Sequence, residues 1–179
     1  MRRLILRWEL LGFLFILAAG FPWHFVFQWI GGWRPAALIF PVNESVWEHM
    51  KLCFWPGLIW ALIENPFIGK GTLNFWAAKA ASLLAMCTVM AAVFYTYIAV
   101  LGSSVLWANL LDFALAAAAG LYIGYRIMAG QPLGPVARRA GAILLVVQVV
   151  VFLSFSFFPP HLILFQDPVT RGFGMPACP

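Results

Sequence analysis

The sequence predicts an all-α integral membrane protein, a single bundle of five transmembrane helices. Hydrophobic residues make up 64% of the chain and charged residues only 9%, whereas soluble domains carry about 25% charged residues. The mean hydropathy is +0.92. Five segments are apolar over the ~20 residues that a membrane-crossing helix needs. At 179 residues the length fits one compact unit, so residues 1–179 are expected to form a single domain.

The five predicted spans are separated by short segments rich in Gly, Pro, Asn and Ser. The spans lie at about residues 8–30, 44–64, 75–101, 105–128 and 141–158. The first follows a basic start, as a signal peptide would, but it is too long for one and lacks a small-x-small cleavage site, so we expect it to be retained. Short connections imply that consecutive helices run antiparallel, with residues 159–179 as a tail.

The basic residues indicate orientation. Net charge is +5, but the basic residues are spread between the apolar spans, which is typical of topology signals and gives no reason to expect a nucleic-acid partner. All but three of the eleven lie on the side of the amino terminus: Arg2, Arg3, Arg7, Lys70, Lys79, Arg126, Arg138 and Arg139. The other side keeps Arg34, Lys51 and Arg171. The positive-inside rule therefore predicts an N-in, C-out, multi-pass protein of the inner (cytoplasmic) membrane with an extracytoplasmic tail.

This topology collects the scarce ionisable groups on the outer side. The side carries all three histidines and four of the six acidic residues, namely His24, His49, His161, Glu44, Glu48, Asp112 and Asp167. Ionisable groups at membrane depth usually face a partner or a water-filled cavity and mark function. We therefore expect a polar pocket that opens to the outer leaflet.

Residues 43–51, at the start of the second span, contain several polar and ionisable side chains. Helical spacing places Glu44, Glu48 and Lys51 on one stripe, which favours a cavity lined by carboxylates. The alternative is structural: Ser45 and Glu48 match a capping box, and Glu48 can pair with Lys51 at i, i+3. Both interpretations stay open for Glu48 and for the neighbouring His49.

Asp112 lies seven residues after the start of the fourth span, or roughly 10 Å deep at 1.5 Å per residue. An unpaired carboxylate at that depth needs a partner, water or a cation, although a protonated Asp in an interhelical hydrogen bond would also serve. Asn109 shares its helix face. In the tail, Pro159-Pro160 precedes His161, and the segment up to Asp167 is either a lid over the pocket or an interfacial ending.

The resulting candidate catalytic residues are Glu48, Asp112, His49 and His161. The candidate metal ligands are His49, His161, Asp112, Glu48 and Asp167, which suit a divalent metal such as zinc. Further pocket residues are expected to be Asn43, Glu44, Ser45, Lys51, Asn109, His24 and Arg171. Away from the pocket, Gly120 and Gly124 predict close packing against a neighbouring helix or a partner subunit. Glu64 is placed to pair with Lys79 or Arg126.

Two segments carry a resemblance, residues 41–51 (PVNESVWEHMK) and residues 165–174 (FQDPVTRGFG). They resemble a family of small bacterial multi-spanning membrane proteins of unknown function, over the whole chain. This resemblance implies a small helical membrane protein and no particular activity. A looser likeness links the chain to membrane hydrolases of the ceramidase and progestin-receptor-like type, which hold zinc among His, Asp and Ser but have seven spans and a fuller histidine set.

The leading hypothesis is a membrane-embedded enzyme, a metal-dependent hydrolase or transferase that acts on a lipid or lipid-linked substrate at the outer leaflet. Glu48 or Asp112 would act as general base or metal ligand, and His49 and His161 as metal ligand or general acid. One alternative is a protein that binds or transports an ion or small polar solute through the same groups. Another is a non-catalytic membrane subunit that docks to a partner through Gly120 and Gly124.

Overall fold

The protein is a bundle of five helices, and the computed structural model describes residues 1–175. The helices are α1 Arg2–Trp29, α2 Val46–Ile68, α3 Phe75–Leu101, α4 Leu106–Met128 and α5 Pro135–Ser154. Short 3-10 helices follow at Arg34–Leu38, Gly69–Gly71 and Ile163–Phe165. Each of the five long helices is apolar enough to cross a membrane. The prediction of an all-helical, multi-pass membrane protein is confirmed over residues 1–175. The end of the predicted tail, which contains Cys178, lies outside the described residues.

Two helices start earlier than the predicted spans. α1 begins at Arg2 rather than near residue 8, because arginine is a good helix former even where the segment is too polar to count as a span. α5 begins at Pro135 and ends at Ser154 rather than covering residues 141–158. Proline fits the first helical position because its fixed φ suits a helix and its missing N–H is not needed there.

α3 is the central helix of the bundle. It packs against α2, α4 and α5, while α1 packs against α2 and α4. The chain alternates direction, so one end of the bundle carries the ends of α1, α3 and α5 together with the starts of α2 and α4. We call this end the tail side, because residues 155–175 lie there, and the opposite end the amino-terminal side.

Small residues let α4 approach α3 closely. A Cβ atom on Gly120 would lie 2.3 Å from Met86 Cγ and 2.6 Å from the Ser82 carbonyl oxygen. At Gly124 the nearest atom would be Ser82 Cβ at 3.2 Å. The predicted close-packing surface is therefore used inside the chain, and α3 covers the face that a partner subunit would need.

We expect Gly120→Ala to destabilise the protein by about 1–3 kcal/mol, because the added methyl must displace Met86 and the backbone of Ser82. Thermal unfolding in detergent measures the effect. Gly134→Ala is the control: its φ of −59° suits alanine and no atom lies within 4 Å of the new Cβ. Equal transition temperatures for the two variants would contradict the proposed packing.

Candidate metal centre

The start of α2 is fixed by side-chain hydrogen bonds. Ser45 is the N-cap, and its hydroxyl accepts a hydrogen bond from the Glu48 amide at 3.3 Å. The Ser45 amide donates to Asn43 Oδ1 at 2.9 Å, so Asn43 takes the role that a capping box would give to Glu48. The Glu48 carboxylate instead accepts from the Val42 amide at 3.0 Å. One half of the predicted capping box is therefore present, and Glu48 is directed to the preceding loop.

Behind this cap lies a buried polar network centred on Lys51, which has no exposed surface. The Lys51 ammonium donates to Glu48 Oε2 at 2.7 Å and to Ser156 Oγ at 2.5 Å. It also donates to the carbonyls of Ala37 at 2.8 Å and Phe40 at 3.4 Å. The i, i+3 pairing of Glu48 with Lys51 is confirmed. Glu48 is 1% exposed and both of its carboxylate oxygens accept hydrogen bonds within this network.

The tail folds back over this region. The Asp167 carboxylate accepts from the Val169 amide at 3.0 Å and from the Thr170 hydroxyl at 2.6 Å, which forms a tight turn. Asn43 Nδ2 donates to the Gly174 carbonyl at 2.8 Å. Gly174 has a φ of +66°, and a Cβ there would lie 3.1 Å from the Ser156 carbonyl oxygen. The position therefore requires glycine, and the tail is held against the loop before α2.

Three potential metal-ligating side chains meet beside this loop. His24 Nε2 lies 3.4 Å from Glu44 Oε1, and His49 Nε2 lies 3.5 Å from Glu44 Oε2. The two imidazole centroids are 5.2 Å apart. One ligand atom from each residue lies within 4.8 Å of the others. We call these three residues the His-Glu-His group; it draws one ligand each from α1, the loop and α2.

Hydrogen bonding orients one of the imidazoles. His49 Nδ1 lies 3.0 Å from the Ser45 carbonyl oxygen, and a carbonyl can only accept, so Nδ1 carries the hydrogen. In the neutral ring, Nε2 is then left with a lone pair directed at the group, the arrangement usual for metal-binding histidines. His24 Nδ1 is buried and has no hydrogen-bond partner within residues 1–175.

The Glu44 carboxylate is polarised by its neighbours. The pKa of Glu44 is held below its ordinary value, chiefly because His24 donates a hydrogen bond to the carboxylate and also because the protonated form of each imidazole attracts the negative charge. Partial burial acts in the opposite direction and does not outweigh these contacts. Glu44 is therefore ionised at neutral pH, as a metal ligand must be.

A cleft of about 580 Å³ borders the group. It lies between the end of α1, the loop before α2 and the tail. Its lining residues are His24, Phe27, Gln28, Pro41, Val42, Asn43, Glu44, Asp167, Val169, Thr170, Gly172, Phe173, Gly174 and Met175. Two imidazoles and one carboxylate are a donor set found in catalytic zinc sites, which leave the fourth position to water or substrate. His24 and Glu44 line the cleft, so it borders two of the three potential ligands.

A protein-family model matches residues 3–175, almost the entire chain. The chain belongs to DUF6512, a family of unknown function. No curated protein and no solved structure matches it. Membership agrees with the predicted unknown-function family, and the looser likeness to ceramidase-type hydrolases stays a prediction.

Other predicted site residues of this DUF6512 protein lie apart from the His-Glu-His group. Asp112 is 3% exposed in α4, and its Oδ1 has no hydrogen-bond partner among the described residues. Asn109 instead bonds to the Tyr97 hydroxyl and to Ser104, where α3 turns into α4. His161 is exposed and its ring centroid lies 4.7 Å from that of Phe173. Arg171 is exposed at a positive φ of 61°.

The five predicted metal ligands are therefore not gathered into one centre. Within residues 1–175, the one group of three donors close enough to hold a metal combines His49 with His24 and Glu44. The sequence predicted His24 and Glu44 as pocket residues but did not include them among the metal ligands. The available signal was topological, because all three fall at the same predicted membrane surface.

We expect Lys51→Met to destabilise the protein by about 3–5 kcal/mol, because the Glu48 carboxylate would stay buried without its cation. The transition temperature in detergent should fall accordingly. Lys70→Met is the matched control, since Lys70 is exposed and its loss should change stability by less than about 0.5 kcal/mol. Comparable losses in both variants would show that the buried network does not hold the fold.

Proposed function

We propose that this DUF6512 protein is a membrane-embedded, metal-dependent hydrolase or transferase that acts on a lipid or lipid-linked substrate at the outer leaflet. The observation that supports the proposal is the His-Glu-His group beside the tail-side cleft, with three donor atoms within 4.8 Å of one another. The donors come from three separate segments of the chain. Such convergence of potential ligands at a cleft is the usual mark of a binding or catalytic site.

The donor set favours zinc. His and Glu ligands at this ratio suit a tetrahedral zinc ion with an open position. A zinc ion there would polarise a substrate carbonyl or phosphoryl oxygen and lower the pKa of a bound water to about 7. In hydrolysis of an ester, the water oxygen would add to the carbonyl carbon, the bond to the leaving oxygen would break, and the leaving oxygen would take up a proton.

A lipid substrate is supported by the surroundings of the cleft. The tail next to it exposes apolar side chains, with Leu162 at 60%, Ile163 at 74% and Val169 at 76%. Trp29 and Trp33 at the end of α1 are also exposed, as in the aromatic belt at a membrane surface. The distribution of arginine and lysine favours the outer leaflet for this side. A lipid headgroup could enter the cleft while its acyl chains stay in the bilayer.

The polar groups on the opposite side favour an enzyme over a transporter. Lys79 pairs with both Glu9 and Glu64 in the bundle interior, and Gln148 Nε2 donates to the Ala80 carbonyl at 3.0 Å. Arg126 is exposed and donates to the Tyr122 hydroxyl. The hydrogen-bond donors among these groups contact one another's carboxylates, a hydroxyl or a backbone carbonyl. We take this engagement of the donors as support for an enzyme over a solute transporter. Transport of an ion or small solute, and a non-catalytic subunit role, remain the alternative proposals.

We expect the purified protein to bind one zinc ion, and His24→Ala, Glu44→Gln and His49→Ala each to weaken binding by at least about tenfold. Elemental analysis and competition with a chelator measure occupancy and affinity. Binding should weaken in acid because protons compete with the metal ion for the imidazole nitrogens.

His161→Ala distinguishes this centre from the ligand set predicted from sequence. We expect it to retain the metal, because its ring lies on Phe173 outside the His-Glu-His group. Metal loss in His161→Ala with retention in His49→Ala would contradict the assignment.

We expect a strain that lacks the gene to accumulate a lipid or lipid-linked substrate, and wild-type protein to reverse the change. Glu44→Gln and His49→Ala should lower the conversion by about a hundredfold or more, because the activated water is lost. Comparison of lipid profiles by mass spectrometry, at matched protein levels, measures this. A stoichiometric metal without any altered lipid would refute the enzyme and favour a metal-binding role.

A further inference from the structure

A second cluster of charges is buried on the amino-terminal side, away from the cleft. Lys79 of α3 contacts Glu9 of α1 with a distance of 2.6 Å from Nζ to Oε1, and it also contacts Glu64 of α2. Exposure is 4% for Glu9, 0% for Glu64 and 2% for Lys79. The predicted pairing of Glu64 with Lys79 is confirmed, and Glu9 joins it. We call these residues the Glu-Lys-Glu triad.

The triad has one acid more than it has cations. If all three groups were ionised, a net negative charge would be left inside three membrane-spanning helices, which costs several kcal/mol. Glu9 Oε2 and Glu64 Oε2 are also buried and accept no hydrogen bond from residues 1–175, since the neighbouring Trp60 indole N–H donates to the Trp8 carbonyl at 3.2 Å. An unsatisfied buried acceptor adds a further penalty of about 1–3 kcal/mol. A positive group that also donates a hydrogen bond would both neutralise the excess charge and satisfy one of these oxygens.

We propose that the Glu-Lys-Glu triad is a proton-binding site, in which Glu9 and Glu64 hold one proton between them while Lys79 stays charged. The bound proton removes the excess charge and converts one carboxylate into a hydroxyl donor for an unsatisfied oxygen. Two acids that face one ammonium titrate as a coupled pair, so the proton belongs to both and to neither alone.

No other cation compensates the triad within the described residues. The basic groups on the amino-terminal side of the neighbouring elements form no salt bridge with it, since the pairs in residues 1–175 that include Glu9 or Glu64 both use Lys79. These groups are Arg2, Arg3, Arg7, Lys70, Arg126, Arg138 and Arg139. Arg2 donates to the Ala129 carbonyl and Arg126 to the Tyr122 hydroxyl. Gln148 of α5, the buried polar residue facing α3, is bonded to the Ala80 carbonyl.

A proton fits this site better than a metal cation. The Lys79 ammonium already occupies the point where the two carboxylates meet, and a second cation there would be repelled at short range. Calcium needs six to eight oxygen ligands and magnesium six, whereas the triad offers two unengaged carboxylate oxygens. A proton needs one donor oxygen and one acceptor. The proposal is independent of the metal centre, because the triad shares no residue with it.

Infrared spectroscopy of the full-length protein in lipid tests the proposal, because a protonated carboxyl group gives a carbonyl band that shifts in D₂O. Asp112 is also buried and has an oxygen without a hydrogen-bond partner among the described residues, so the test uses the Asp112→Asn background. We expect that protein to keep a band equal to one carboxyl group at neutral pH. Adding either Glu9→Gln or Glu64→Gln should remove the band entirely, because the remaining acid then pairs with Lys79 as a carboxylate.

Glu44→Gln in the same background is the control. Its carboxylate is ionised at neutral pH, so the band should not change. The glutamine variants preserve side-chain shape, and their size-exclusion profiles report folding. Absence of the band in Asp112→Asn would show a fully ionised triad and overturn the proposal. Survival of the band in both Glu9→Gln and Glu64→Gln would overturn it as well, because the proton would then lie elsewhere.

Discussion

The buried ammonium of Lys51 holds the tail side of the bundle together. Moving a charge out of water costs several kcal/mol, which only close partners offset. Here one carboxylate, one hydroxyl and two backbone carbonyls surround the nitrogen. These partners come from α2, from the loop at residues 37–40 and from Ser156 after α5. The loop between α1 and α2 and the chain leaving α5 are therefore tied to the same turn of α2.

The His-Glu-His group depends on this anchor. Glu44 belongs to the loop, immediately before the N-cap of α2, while His24 lies near the end of α1 and His49 on the first turns of α2. The carboxylate reaches both imidazoles only because the loop folds back across the end of α1. The same loop carries Asn43, whose side chain holds the tail at Gly174 and so forms the far wall of the cleft. One buried cation thus fixes the loop that carries Glu44 and helps to enclose the cleft beside it.

The sequence predicted what depends on local pattern and composition. The five helices follow from apolar length, and Glu48–Lys51 follows from spacing along one helix. Glu64–Lys79 could be proposed because the predicted topology puts both residues on one side. The contact of Glu44 with His24 depends on how residues 30–45 fold, which no periodicity encodes. The depth of Asp112 was predictable, but its lateral partner depends on which helices pack around α4. The participation of Glu9 was missed for the same reason.

The three charged clusters differ in how many of their charges and hydrogen-bonding atoms have a partner. This difference distinguishes a cluster that stabilises the fold from one that can bind a ligand. The Lys51 network is sealed, and its charges have matching partners. The Glu-Lys-Glu triad is equally buried but lacks one positive charge. The His-Glu-His group is open, with side-chain exposures of 22% for His24, 28% for His49 and 47% for Glu44. A matched, buried cluster has nothing left to bind and serves stability. A cluster with an unpaired charge or unused lone pairs is stabilised when a ligand binds, and the ligand must be small enough for the space available. A proton fits the enclosed space of the triad, whereas the metal ion that we propose would occupy the open group beside the cleft.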